Sequence, residues 1–211
     1  MKDKEKRHRV AELASKQWFI CDASVFLVVC ADLNKMQIAA DKSGYDFFQS
    51  QFLESFLMAS VAVAIAALAA ESLGYGTCMI GNVRNYVDEM VTLLGLPKMV
   101  FPLVGLCIGH PLKRNPPKPR MPLNGVFFDD TYNEREVKGA VEKYDAKMVE
   151  SRIYAERDFP LDDVRGPGVE GASTRDYGWI EHSSRRISTR DPEKTRHRLR
   201  KNLEEQGFSF S

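Results

Sequence analysis

The stretch 76-GTCMIGNVRN-85 joins two kinds of pattern. Up to residue 81, "YGTCMIG" predicts a short strand. From residue 87 onward, Val87, Met90, Val91 and Leu94 recur at i, i+3, i+4 and i+7, the spacing of a half-buried helix. Asn85 is placed to cap that helix, and Gly95 with Pro97 to stop it. "GNVRN" is therefore a strand-to-helix turn. A glycine there lets a flat ligand approach bare backbone, and the N–H groups of such a turn can donate to an electron-rich acceptor. Gly81 carries that reading. The spacing is not G-x-G-x-x-G, so a dinucleotide phosphate loop fits poorly.

Working outward, "ASVFLVVCAD" (23–32) and "MVFPLVGLCIGHP" (99–111) are continuous apolar runs that predict buried strands, the second with Pro102 near its start. Residues 3–16 predict a charged amphipathic helix, and 45–73 a long helix ending at Gly74. Within the latter, "FLMASVAVAIAALAA" (56–70) is uncharged but shorter than the ~20 residues a bilayer requires. Its small residues suit a buried helix at a domain centre or a subunit interface. "GVFF" (125–128) predicts a further strand. Asn133 and Glu136 form a capping-box-like start for a helix reaching about Arg157. A Gly- and Pro-rich excursion follows, then a last helix from about Asp191 to Gly207.

Composition narrows the partners. Thirty Lys+Arg against 29 Asp+Glu give a net charge of +1, with no field to recruit nucleic acid or an anionic membrane. The arginines of the C-terminal third are nearly matched by acids and read as a solvated face or subunit contact. Four scattered cysteines without a C-x-x-C pair suit a reducing cytoplasm, and no metal-ligand spacing is present. The basic start "MKDKEKRHR" is not followed by the apolar core of an export signal. Trp179 and His182 read as a packed anchor, and His110 as a strand-terminal polar residue.

A second cluster is "KPR": Lys118 and Arg120 are held apart by Pro119 on an extended backbone, and an arginine fork suits a phosphate or an anionic ring edge. "AAESLGYGTCMIGNVRNYVDEMVTLLGLPKMVFPLVGLCIGHP" followed by "KPRMPL", with "ASKQWFICDASVFLVVCADLNK" before them, resembles the nitroreductase superfamily, in its NADPH-dependent nitroreductase and FMN reductase branch. The resemblance implies an α+β fold with three layers, α-β-α, around a central mixed sheet. It also implies a homodimer in which a C-terminal extension packs on the partner subunit. On that basis residues 1–157 form the FMN-binding core, and 158–211 the excursion and terminal helix that embrace the partner.

The resemblance assigns roles. Gln17 is expected to hydrogen-bond the flavin ring or ribityl chain. Met79, Ile80, Gly81 and Asn82 are expected to line the isoalloxazine face, and Lys118 and Arg120 to supply charge at its pyrimidine edge or phosphate. Arg157 or Arg175 is expected to hold NADPH. The implied activity is a ping-pong hydride relay from NAD(P)H through FMN to a nitroaromatic, quinone or free flavin, in the cytoplasm. The family opens with an R-S-x-R segment that grips the FMN phosphate, and Met1 falls after it. The expectation is therefore an N-terminally truncated chain whose FMN is weak or absent if no other segment replaces those arginines, since each lost charge-assisted bond costs about 1.5–3 kcal/mol. A flavin-free dimeric binding or regulatory protein on the same scaffold is the alternative.

Overall fold

Strand β3 (Val100–Gly109) is the centre of the sheet, flanked by β1 (Val25–Asp32) and β2 (Gly76–Ile80) in the order β1-β3-β2. The computed structural model describes residues 1–49, 52–113, 115–154, 177–188 and 198–209. Both strand pairings are antiparallel, so among the described residues the sheet is not the mixed one expected. Side chains alternate across it. Phe26, Ile80 and Cys107 face α1 (Lys4–Leu13), α2 (Phe19–Asp22) and α5 (Val87–Leu94). Leu106, Val29, Val104 and Ile108 face α4 (Phe52–Ser72). This is the α-β-α layering of an α+β fold.

The chain forms two compact units, Met1–Arg114 with Arg196–Ser211, and Asn115–Thr195. The chain end returns to the first unit. Met99 N–H donates to Gln206 O at 2.7 Å, and Gln206 Nε2 to Val100 O at 2.9 Å. Phe208, just beyond α8 (Leu199–Glu205), makes edge-on contacts with Phe56 and Phe101 at 5.5 and 6.3 Å. The segment after the terminal helix thus contributes to the chain's own core. In the second unit, α6 (Glu134–Glu150) packs on α7 (Trp179–Ser188), with Tyr144 edge-on to Trp179 at 5.5 Å. His182 stacks on Tyr154 at 4.3 Å, so the pair acts as the expected anchor.

Several elements differ from the sequence pattern. The helix expected over 45–73 begins only at Phe52, and a separate α3 (Asn34–Ser43) precedes it. Of the 21 residues of α4, Ala59, Val63, Ala67 and Ala70 are buried, and the rest of the helix is largely exposed. It is a one-face helix rather than the buried one expected, and it is long and apolar enough by length and composition to cross a membrane. "GVFF" is not a strand: Leu123–Gly125 coil in a 3-10 turn, with Phe127 N–H donating to Leu123 O at 2.8 Å. Asn85 does not cap α5, which begins at Val87 without a side-chain cap. Gly95 does end α5, in the left-handed conformation at φ 62°. Asn133 caps α6 by accepting from the Arg135 and Glu136 N–H groups.

Candidate functional site

At the end of β2 the chain enters a 3-10 turn, Gly81–Arg84, before α5 begins. Two apolar anchors fix the turn: Ile80 and Val83 are buried in the core under α1 and α5. Strand alternation puts Met79 on the opposite face, where it is half exposed. The Ile80 side chain packs into the core while Met79 faces outward.

Arg84 explains itself structurally. The β1–β3 register slips between Val29 and Cys30, whose partners are Val104 and Pro102, so Leu103 is the extra residue of a bulge. The Arg84 guanidinium donates to the Leu103 carbonyl. Pro102 brings no N–H to the ladder, and the arginine supplies a donor beside it. Burial of the guanidinium pulls its pKa below the ordinary arginine value.

Gln17 reaches the same neighbourhood through the loop after α1. Ser15 and Lys16 both take left-handed backbone, φ 63° and 57°, at roughly 1–2 kcal/mol per non-glycine residue. That strain is held by neighbours. Gln17 N–H donates to Ala11 O at 3.0 Å, Asn82 Nδ2 to Ala14 O at 3.4 Å, and Asn85 Nδ2 to Ser15 Oγ at 3.0 Å. The asparagines of "GNVRN" thus tie the Gln17 loop to the Gly81 turn. The Asn82 side-chain amide donates into this tie.

The Gln17 Oε1 atom is buried and has no hydrogen-bond partner. A buried carbonyl left unpaired costs about 1–3 kcal/mol, and native interiors rarely tolerate it without a reason. A bound group bearing an N–H or O–H would satisfy it. Strained backbone and an orphaned acceptor meet beside a glycine turn, and both signals fit a ligand.

Lys118 and Arg120 belong to the second unit, exposed on the extended run before the Leu123–Gly125 turn. Arg157 and Arg175 lie outside the described residues. Among the described residues no cluster of three or more His, Cys, Asp or Glu could hold a metal. The Ser15–Lys16 strain and the Arg84–Leu103 bond were not anticipated. Pro102 was the available hint of a bulge, and the arginine of "GNVRN" the hint of what satisfies it.

Comparison with known proteins defines the class. The nitroreductase family profile matches residues 1–110, and that of the nitroreductase family C-terminal domain matches 118–211. The chain belongs to the nitroreductase family. It is 44% identical over 156 residues to an FMN reductase [NAD(P)H] of Bacillus subtilis, across 71% of this chain and 63% of that one. It therefore spans less than two thirds of that relative's length. An oxygen-insensitive NADPH nitroreductase of Salmonella typhimurium is 32% identical over 190 residues, covering 88% of this chain and 70% of the relative. NfrA2 of B. megaterium superposes with a TM-score of 0.81 at 34% identity, covering 100% of this chain and 79% of that one.

Proposed function

We propose that this chain is an FMN-dependent oxidoreductase that takes reducing equivalents from NAD(P)H. The observation that carries the reading is the buried, unpaired Gln17 Oε1, in a loop that Asn82 ties to the Gly81 turn. In that role Gln17 accepts a hydrogen bond from the ring imide or a ribityl hydroxyl of FMN. Gly81, without a Cβ, lets the ring approach the backbone. Lys118 and Arg120 are assigned positive charge toward the cofactor, and Arg157 or Arg175 the NADPH phosphate, on the strength of the family resemblance. When bound, FMN supplies the hydride chemistry in two half-reactions, a ping-pong relay that ends on a nitroaromatic, a quinone or free flavin.

The protein's own contribution is placement. The strained Ser15–Lys16 backbone, locked by Asn82 and Asn85, sets the Gln17 amide before any ligand arrives, so little ordering remains to be done on binding. The Arg84–Leu103 bond holds the turn against β3. The partner is a second copy of this chain, docked on α4. Leu57, Val61, Ile65 and Leu68 form an exposed apolar row about one turn apart along that helix, between 52% and 68% exposed. Burying such a row in a homodimer, in the cytoplasm, accounts for it.

The test is FMN titration followed by flavin fluorescence, with and without Gln17→Ala. The single lost hydrogen bond is expected to weaken apparent FMN affinity by about tenfold, or ~1.4 kcal/mol. Equal affinities would remove Gln17 from the site. If neither protein binds FMN, the flavin-free alternative replaces this reading.

A further inference from the structure

The antiparallel register of β2 and β3 places Cys78 directly opposite Cys107. Residues so opposed have Cα atoms about 4.5 or 5.5 Å apart, and both spacings fall within the ~4.4–6.8 Å that a disulfide spans. Strand alternation puts both side chains on the same face of the sheet. All four cysteines are thiols in this structure. The two differ sharply in setting: Cys78 is exposed on the edge strand, whereas Cys107 is buried within the core under α1 and α5.

We propose that Cys78 and Cys107 form a reversible cross-strand disulfide, making the β2 edge of the sheet a site of thiol oxidation. The oxidant is a low-molecular-weight disulfide. The Cys78 thiolate attacks one of its sulfurs, that S–S bond breaks, and a thiolate leaves with the electron pair. A mixed disulfide remains on Cys78. Cys107 then loses its proton to solvent and attacks the Cys78 Sγ, expelling the second thiolate. Two protein thiols have lost two electrons, and the oxidant has become two thiols.

Exposure assigns the order of attack. Cys78 meets the oxidant at the surface. Cys107, whose thiol is pushed up to about 11 chiefly by burial, acts second, from the position across the ladder. Opposed Cβ atoms lie about 4.5–5.5 Å apart, and a bridge needs about 3.5–4.5 Å, so closure draws the two strands together. A bond strained in this way is readily reduced, which suits a reversible modification rather than a structural staple. The bridge would form three residues before Gly81, on the strand that feeds the turn.

The experiment treats the full chain with oxidised glutathione, alkylates the remaining thiols and maps the peptides by mass spectrometry beside a non-reducing gel. The expected product is a monomer-length species whose peptides are joined through Cys78 and Cys107, and dithiothreitol reverses the link. Cys78→Ser is expected to abolish the link, and Cys107→Ala to leave glutathione on Cys78. The proposal is overturned by a glutathione adduct on Cys78 that never resolves in the parent chain. A link from Cys107 to Cys21, a Cys78–Cys78 link between copies, or no oxidation at all would overturn it equally. If Cys107→Ala does not fold, the parent map and Cys78→Ser still decide the matter.

Discussion

Gly105 is the residue on which the sheet is most tightly closed. A Cβ there would come within 2.9 Å of two Phe26 ring carbons and 3.0 Å of the Ile80 Cβ. Gly105→Ala is expected to cost about 1–3 kcal/mol by overpacking, read as a lower urea midpoint. The cysteines offer a second test. Burial is the main cause that raises the Cys30 and Cys107 thiols to about 11 from an ordinary 9.0. The fold therefore favours their protonated forms, and this stabilisation is fully present below pH 9 and is lost as pH rises toward 11. Timed alkylation of the folded chain at pH 8 should label Cys78 well ahead of both, and equal rates would contradict the burial. At this scale the sequence was legible in type and not in direction. Ile80 and Asn82 sat at the expected turn, but which way each points is set by the pleat and by the Ala14 carbonyl, and neither is written in residues 76–85 themselves.

Elements were read where an apolar stripe or a cap marks them, and missed where neither does. α5 and its Gly95 stop, the Asn133 cap, and β1 to β3 follow from periodicity and punctuation. α3 was missed because none of its ten residues is buried, so no stripe announces it. "GVFF" has strand-forming residues, yet Gly125 lies where a Cβ would stand 2.5 Å from that of Ala140, and this close approach to α6 coils the chain instead. Two expectations belong here. Asn133→Ala removes the acceptor of two N–H groups at the start of α6 and should lower stability by about 1 kcal/mol in chemical denaturation, and Asn133→Asp should retain most of it. Ile65→Lys places a charge in the exposed row of α4 and should shift the proposed dimer toward monomer in sedimentation velocity, with its helical circular dichroism unchanged. An unaltered dimer would move the interface elsewhere.

For the whole molecule, the family and the α-β-α layering were accessible from short motifs in a fixed order, because the strand-turn-helix at 76–95 and the central strand at 100–109 are local and strongly patterned. The return of the chain end was not. Gln206 reaches Val100 across more than a hundred residues, and no local pattern encodes a contact of that range. In the proposed function, the loop carrying Gln17 and the turn at Gly81, tied by two asparagines, are the seat for a flavin. The most direct measurement is NAD(P)H oxidation with a quinone acceptor as FMN is added, on the parent chain and on Gln17→Ala. The account predicts saturable, FMN-dependent turnover in the parent, with the variant needing about ten times more FMN to reach half its maximum. No turnover at any FMN concentration, with the chain folded, would contradict it.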